Sequence, residues 1–119
     1  MISVLLVDDN VEQVTALAAV LGSKGLAIEL ATSGREALAR VASRAPDILI
    51  VDLQIPDMNG ADVIRRARQV KAGLPAALLT GYPPDHPLIA DAVAKARISY
   101  LAKPVNVDAL LALVTSTVR

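Results

Sequence analysis

Four apolar runs in this sequence end in polar side chains that could do chemistry. Asp8 and Asp9 follow the first run, Asp52 the second, Thr80 the third and Lys103 the fourth. Short apolar runs that alternate with helical patterns are typical of buried strands in a parallel sheet. Ligands of open parallel sheets bind beyond the carboxyl ends of the strands. The sequence therefore predicts that three carboxylates, one hydroxyl and one ammonium group meet at one edge of a sheet.

Such a set of side chains suits a divalent cation and a phosphoryl group. Crowded carboxylates favour a hard cation such as Mg²⁺, which prefers one or two carboxylates together with water and phosphate oxygens. Lys103 could pair with a phosphoryl oxygen as a point charge, and Thr80 could donate its hydroxyl to the same group. Carboxylates are known nucleophiles for phosphoryl groups. Asp52 is the best candidate, because it stands alone at its strand end while Asp8 and Asp9 form a pair suited to a metal.

Each of these residues also has an ordinary structural explanation when it is taken alone. Asp52 could form a turn, the Asp8–Asp9 pair could cap a helix, and Thr80 could be a loop residue. Their joint placement at strand ends is what indicates a functional site.

The elements that must position these residues alternate along the whole chain. Apolar residues at helical spacing follow the N-cap candidates Asn10, Ser33 and Asn106. We predict one domain over residues 1–119, an α/β fold in which helices cover both faces of a five-stranded parallel sheet. This is a doubly wound, three-layer α/β/α arrangement. The predicted strands cover residues 2–7, 26–31, 47–51, 76–79 and 98–102.

Two segments near the predicted site are expected to be loops. Residues 53–59 contain Pro56 and a turn-like sequence, and residues 81–87 contain three prolines and are expected to be non-helical. A helix is predicted from about residue 88 to residue 96. His86, the single histidine, is expected to be a solvated loop residue and not a phosphate carrier.

Composition excludes several classes of protein. The chain has 12 basic and 12 acidic residues without a basic run, so we expect no direct nucleic-acid binding. It has no cysteine, which excludes disulfides and thiolate metal sites. The first apolar run stops at Asp8, and no apolar stretch approaches the roughly 20 residues of a membrane span. A soluble cytoplasmic domain without a membrane segment is predicted.

The chain resembles the receiver domains of two-component response regulators over its whole length. The resemblance is carried by VLLVDDN at residues 4–10, LIVDLQIPDMNG at residues 49–60 and YLAKPV at residues 100–105. It implies a flavodoxin-like fold with strand order 2-1-3-4-5, which makes the first and third strands neighbours.

The resemblance also implies a role for each site residue. Asp52 would accept a phosphoryl group from the phosphohistidine of a sensor histidine kinase or a phosphotransfer protein. Asp9 would bind Mg²⁺ directly and Asp8 largely through water, while Asp52 and the backbone carbonyl of Gln54 would complete the protein ligands. Lys103 would hold a phosphoryl oxygen. The domain would thus be a signalling domain that assists its own phosphotransfer and dephosphorylation, and not an enzyme.

Switching is implied in the same way. Thr80 would turn toward the phosphoryl group, Tyr100 would change rotamer, and the surface of the fourth helix, fifth strand and fifth helix would change with them. The Lys103–Pro104 peptide bond is expected to be cis. Gln54 and Tyr82 flank the path of attacking water, so we predict that they tune the lifetime of the aspartyl phosphate.

Partners and alternatives stay open at this point. Apolar residues on the fourth and fifth helices could support a homodimer, partner docking or ordinary packing: Leu88, Ile89, Val93 and Leu113. The chain could be a stand-alone regulator or part of a longer protein. One other function is an unphosphorylated interaction module on the same fold. Another is a haloacid-dehalogenase-type phosphatase, which is disfavoured because Gln54 stands where a second acid would be needed.

Overall fold

Runs rich in leucine, isoleucine, valine and alanine form the central sheet. The computed structural model describes residues 1–118, except for the side chains of residues 95 and 96. Five parallel strands are present: β1 (Ser3–Val7), β2 (Ala27–Ala31), β3 (Ile48–Asp52), β4 (Ala76–Thr80) and β5 (Ser99–Ala102). They lie in the order 2-1-3-4-5, which confirms the predicted fold class.

The register of the sheet aligns the strand ends that carry the predicted site. Val7 of β1 pairs with Val51 of β3, so the residues that follow Val7 leave the sheet beside Asp52. On the other side of β3, Asp52 itself pairs with Leu79, the residue before Thr80. The polar residues after β1, β3 and β4 therefore emerge at the same edge.

Within residues 1–118, five helices connect and cover the strands, and the three predicted N-caps are confirmed. The Asn10 side chain accepts the backbone N–H of Gln13 at 3.1 Å, and Ser33 and Asn106 cap their helices in the same way. Such caps satisfy backbone donors that have no partner within the helix. The helices are α1 (Val11–Ser23), α2 (Gly34–Ser43), α3 (Gly60–Val70), α4 (Pro87–Ala96) and α5 (Val107–Thr117).

Alternate strand residues point to opposite faces of the sheet and form two aliphatic cores. Leu5 and Val51 lie in the core that α2, α3 and α4 cover, and Leu6 and Ile50 lie in the core that α1 and α5 cover. Helices thus cover both faces, as expected for a doubly wound sheet. Among the described residues, no helix combines the length and the apolar character needed to cross a membrane.

Local details differ from the sequence-based expectations in three places. The segment predicted as a plain loop contains a short antiparallel ribbon of Gln54–Ile55 with Met58–Asn59. Helix α4 begins at Pro87, which was assigned to the loop, because proline is well tolerated at the first helical position. The helical spacing of Val63, Ile64, Ala67 and Val70 predicts one apolar stripe on α3, but Val70 is exposed in the last turn.

Candidate functional site

Asp8 is held firmly at the end of β1, whereas Asp9 faces solvent. Only 1% of the Asp8 surface is exposed. Its Oδ1 accepts the backbone N–H of Asn10 at 3.0 Å, and its own backbone N–H donates to the carbonyl of Ala31 in β2. Asp8 is therefore fixed by backbone contacts, and Asp9 lies where a cation from solvent can reach it.

Asp52 is the last residue of β3 and is closely enclosed, with 7% of its surface exposed. Its Oδ1 accepts the backbone N–H of Gln54 at 2.9 Å. Gly60, the first residue of α3, lies so close that a Cβ at this position would be 2.3 Å from the Asp52 carbonyl oxygen. Glycine is therefore required for α3 to start directly against the end of β3.

Lys103 connects the acidic residues of β1 and β3. Its Nζ donates to Asp8 Oδ2 at 3.1 Å and also donates to Asp52 Oδ2. Burial by itself lowers the pKa of the Lys103 ammonium, but hydrogen bonds to Asp52 and Asp8, together with their negative charges, outweigh it and raise the pKa above the ordinary 10.5. Lys103 is thus a fixed positive charge at neutral pH. Its peptide bond to Pro104 is cis.

Asp9 joins the two carboxylates that contact Lys103, so three carboxylates lie close together. One oxygen from each of Asp8, Asp9 and Asp52 lies within 4.8 Å of the others. Three negative charges against one positive charge leave the cluster with an excess of negative charge. Because hard divalent cations prefer such oxygen ligands, the donor set fits Mg²⁺.

Thr80 and Tyr100 contact the backbone of the same residue, Tyr82. Thr80 is the last residue of β4 and is 4% exposed, and its Oγ1 accepts the backbone N–H of Tyr82 at 3.0 Å. The hydroxyl of Tyr100 in β5 donates to the carbonyl of Tyr82 at 2.6 Å. The two residues predicted to switch are therefore linked through the loop that follows β4.

The side chain of Tyr82 bridges two loops at the carboxyl edge of the sheet. Its hydroxyl accepts a hydrogen bond from Gln54 Nε2 at 2.7 Å. Its ring stacks on the ring of His86, with centroids 4.3 Å apart and planes 7° from parallel. The amide of Gln54 and the ring of His86 thus hold Tyr82 from two sides.

His86 was expected to be a solvated loop residue; it does lie in the loop before α4, but its side chain is more buried than expected. It is half-buried, stacks on Tyr82, and its Nδ1 accepts the backbone N–H of Leu88 at 3.2 Å as the N-cap of α4. Pro87 was the available signal, because a proline at the first helical position makes the preceding residue the N-cap. The stacking on Tyr82 has no comparable signature in the sequence.

Asp57 also helps to fix the structure around the site, although the sequence predicts only a turn at this position. Its carboxylate accepts the backbone N–H groups of Gly34 at 2.8 Å and Arg35 at 3.0 Å, at the start of α2. These bonds lower the pKa of the Asp57 carboxyl below its ordinary 3.8. Asp57 therefore ties the ribbon that carries Gln54 to a distant helix.

Comparison with known protein families decides what kind of domain carries this site. The family model described as "Response regulator receiver domain" matches residues 4–115. The chain belongs to this family. Receiver domains are the signalling domains of two-component response regulators, and Mg²⁺ binding at an acidic pocket is typical of them.

Curated relatives of this receiver domain are longer regulatory proteins. The acid tolerance regulatory protein ActR of Rhizobium meliloti is 34% identical over 110 residues, which cover 92% of the chain and 56% of ActR. The transcriptional regulatory protein ZraR of Escherichia coli O157:H7 is 31% identical over 111 residues, which cover 93% of the chain but 25% of ZraR. The chain thus spans between a quarter and just over half the length of these relatives.

Solved structures of receiver domains have the same fold. A CheY-like receiver domain from Methanospirillum hungatei superposes with a TM-score of 0.89 at 25% identity, covering 98% of this chain and 92% of that one. The chemotaxis protein CheY4 of Vibrio cholerae also gives a TM-score of 0.89, at 27% identity, and 99% of each chain is covered.

Proposed function

We propose that Asp52 accepts a phosphoryl group from the phosphohistidine of a sensor histidine kinase or a phosphotransfer protein, and that residues 1–119 act as one receiver domain. The observation that carries this proposal is the double contact of the Lys103 ammonium with Asp52 and Asp8. A fixed positive charge beside an enclosed carboxylate is suited to a phosphoryl group, whose oxygens carry negative charge.

The donor set supports Mg²⁺ as the cofactor. Asp8 would act largely through water, and its two oxygens accept hydrogen bonds from the backbone of Asn10 and from Lys103. Asp9 would bind the ion directly, and Asp52 and the backbone carbonyl of Gln54 would complete the protein ligands. When bound, Mg²⁺ would supply positive charge to the phosphoryl oxygens.

The transfer step uses residues that the fold already positions. A carboxylate oxygen of Asp52 attacks phosphorus, the P–N bond to the donor imidazole breaks, and the electron pair of that bond stays on the imidazole nitrogen. Lys103 shifts its hydrogen bond from the Asp52 oxygen to a phosphoryl oxygen. Because the chain mainly positions charge around the transferring group, the domain assists its own phosphorylation without acting as an enzyme on other molecules.

Switching would start at Thr80. When its hydroxyl turns toward a phosphoryl oxygen, it gives up the hydrogen bond from the backbone of Tyr82. The backbone carbonyl of Tyr82 accepts the hydrogen bond from the Tyr100 hydroxyl, so a movement of the Tyr82 backbone would reach β5. Phosphorylation would thereby bias a two-state equilibrium by contacts that one state alone can make.

The surface of α4, β5 and α5 is the proposed output face. Leu88 and Val93 of α4 are 50% and 38% exposed, so they are available to a partner or to a second copy of the chain. Ile89, which was grouped with them, is fully buried in the core and belongs to the packing. A docking partner and a homodimer would both use this face, and we propose no direct nucleic-acid contact by this domain.

The proposal is tested by phosphorylation with acetyl phosphate and Mg²⁺. We expect acid-stable, base-labile labelling of the parent and none of Asp52→Asn. Asp47→Asn, at the opposite end of β3, is the matched control and should be labelled like the parent. Labelling of Asp52→Asn at the parent level would refute Asp52 as the acceptor.

The same assay addresses the two other functions. An unphosphorylated interaction module would show no Mg²⁺-dependent labelling in any variant. A haloacid-dehalogenase-type phosphatase would need a second acid where Gln54 stands, and the Gln54 amide is instead hydrogen-bonded to Tyr82. Neither function is favoured by a contact in the structure.

A further inference from the structure

The loop between β4 and α4 is closed on itself around two aromatic rings. The backbone N–H of His86 donates to the carbonyl of Pro83 at 3.0 Å, which makes a tight turn. This turn brings the His86 ring onto the Tyr82 ring in a nearly parallel stack. Both side chains are half-buried. The stack is therefore a local feature of the loop, held by its own backbone.

The stack of His86 on Tyr82 supports a hydrogen bond between two loops beside the acidic cluster. Gln54 lies two residues after Asp52, and Tyr82 lies two residues after Thr80. The ends of their strands are adjacent, because Asp52 pairs with Leu79. The hydrogen bond from Gln54 Nε2 to the Tyr82 hydroxyl thus joins the two loops directly beyond the phosphoacceptor.

We propose that His86 is a positioning residue for hydrolysis of the aspartyl phosphate, a role that rests on the proposed function of Asp52. His86 holds the ring of Tyr82 in place, so that Tyr82 and Gln54 together restrict the approach of water. In the hydrolysis, a water oxygen attacks phosphorus and the P–O bond to Asp52 breaks. The electron pair of that bond returns to the carboxylate, and inorganic phosphate leaves with the protons of the water.

His86 acts through Tyr82, because its side chain stacks on the Tyr82 ring and accepts a hydrogen bond from the backbone of Leu88. Without the stack, the Tyr82 ring gains rotational freedom and the bridge to Gln54 is formed for less of the time. Water then reaches phosphorus more often. Loss of the stack should therefore shorten the lifetime of the phosphorylated state without changing the groups that bind the phosphoryl oxygens.

Two variants of His86 separate the stack from the helix cap. His86→Asn keeps a side chain that caps helices well but removes the ring. His86→Phe keeps a ring that can stack on Tyr82 but removes the cap. Asp85→Ala, at the neighbouring exposed position, controls for a general disturbance of the loop.

The test measures phosphate gain from acetyl phosphate and phosphate loss after its removal, in the presence of Mg²⁺. We expect His86→Asn to lose phosphate roughly 2- to 10-fold faster than the parent. This is the change in rate to which the interaction energy of an aromatic pair corresponds. His86→Phe and Asp85→Ala should lose phosphate at about the parent rate, and all variants should gain it at similar rates. Recovery of the parent lifetime by Phe would show that the ring carries the effect.

Three results would overturn this inference. One is equal lifetimes of His86→Asn and the parent; a second is faster loss in His86→Phe than in His86→Asn, which would assign the effect to the cap. The third is an equal acceleration in both variants. A parent protein that takes up no phosphate at all would instead refute the proposed function of Asp52, and this inference with it.

Discussion

The two ends of β3 each carry an aspartate, and the two carboxylates have very different surroundings. Asp47 precedes the strand and is exposed; its Oδ2 accepts the backbone N–H of Ser3 at 2.8 Å and the Ser3 hydroxyl at 3.3 Å. Asp52 ends the strand and is buried; one oxygen accepts a backbone N–H and the other is paired with Lys103. Asp47 thus accepts hydrogen bonds from neutral donors of Ser3. Asp52 instead pairs with the cation of Lys103, which is distant in sequence and also pairs with Asp8.

Under the proposed function, this difference separates a structural carboxylate, Asp47, from the phosphoacceptor, Asp52. The contacts of Asp47 join the starts of two strands and leave the local charges as they are. Asp52 belongs to a group of three carboxylates, two of which pair with Lys103, so the group gains from any further cation. On the proposed function, the two edges of the sheet are told apart by the charge of the partners and not by the presence of an acid at a strand end.

The largest effect should come from removing the shared cation. Lys103→Gln should slow phosphorylation by acetyl phosphate by about 10²- to 10³-fold, the usual cost of losing one preorganised electrostatic partner. Ser3→Ala removes a hydroxyl partner of Asp47 and should lower the free energy of unfolding by about 0.5–1.5 kcal/mol without changing phosphorylation. Labelling kinetics and urea unfolding measure the two quantities. If Lys103→Gln were phosphorylated as fast as the parent, the proposed difference between the Asp47 end and the Asp52 end of β3 would be refuted.

A second comparison concerns the close packing at the Asp52 end. Gly60→Ala would place a Cβ against the Asp52 backbone, so we expect a loss of about 1–3 kcal/mol in the free energy of unfolding. The displaced carboxylate should also be phosphorylated roughly tenfold more slowly or worse.

Gly22→Ala in α1 is the matched control for this substitution. A Cβ at Gly22 meets no atom within 4 Å, so alanine should be neutral or stabilise by up to about 1 kcal/mol. Equal unfolding curves for the Gly60 and Gly22 variants would contradict the packing of α3 against the end of β3.

The smallest effect is expected at Asp57, which resembles Asp47 in having backbone donors. Because its pKa is lowered in the folded state, Asp57 contributes stability that is fully present above the ordinary pKa of 3.8 and is lost as the pH falls through the lowered value. The difference in unfolding free energy between the parent and Asp57→Asn should therefore be constant near neutral pH and shrink in acid. Urea unfolding at several pH values measures it. A difference that grew in acid would mean that the sign of the pKa shift is wrong.

The sequence was sufficient for the sheet and for most of the helix starts. The apolar runs specify buried strands, and Asn10, Ser33 and Asn106 specify helix caps, because both signals are local. The order of the strands came from resemblance to receiver domains, since pattern alone left it open. Once the strand order is known, the edge where the acidic residues lie follows, because the carboxyl ends of parallel strands meet at one edge of the sheet.

The parts of the site that were missed depend on contacts between distant segments or on the geometry of a loop. Asp57 reaches the start of α2 across 23 residues of sequence. The stack of His86 on Tyr82 depends on how a loop rich in proline turns. Residue types and spacing do not encode either contact. Val70 was misplaced because an apolar residue in the last turn of a helix can extend past the core that its neighbours fill.

The most direct test locates the acyl phosphate in the parent protein. Borohydride reduces an aspartyl phosphate to homoserine, so peptide mass spectrometry after phosphorylation and reduction identifies the acceptor without any substitution. We predict homoserine at position 52 alone, and only when Mg²⁺ was present during phosphorylation. Homoserine at position 8, 9, 47 or 57, or a reduced protein with no homoserine, would contradict the assignment of Asp52.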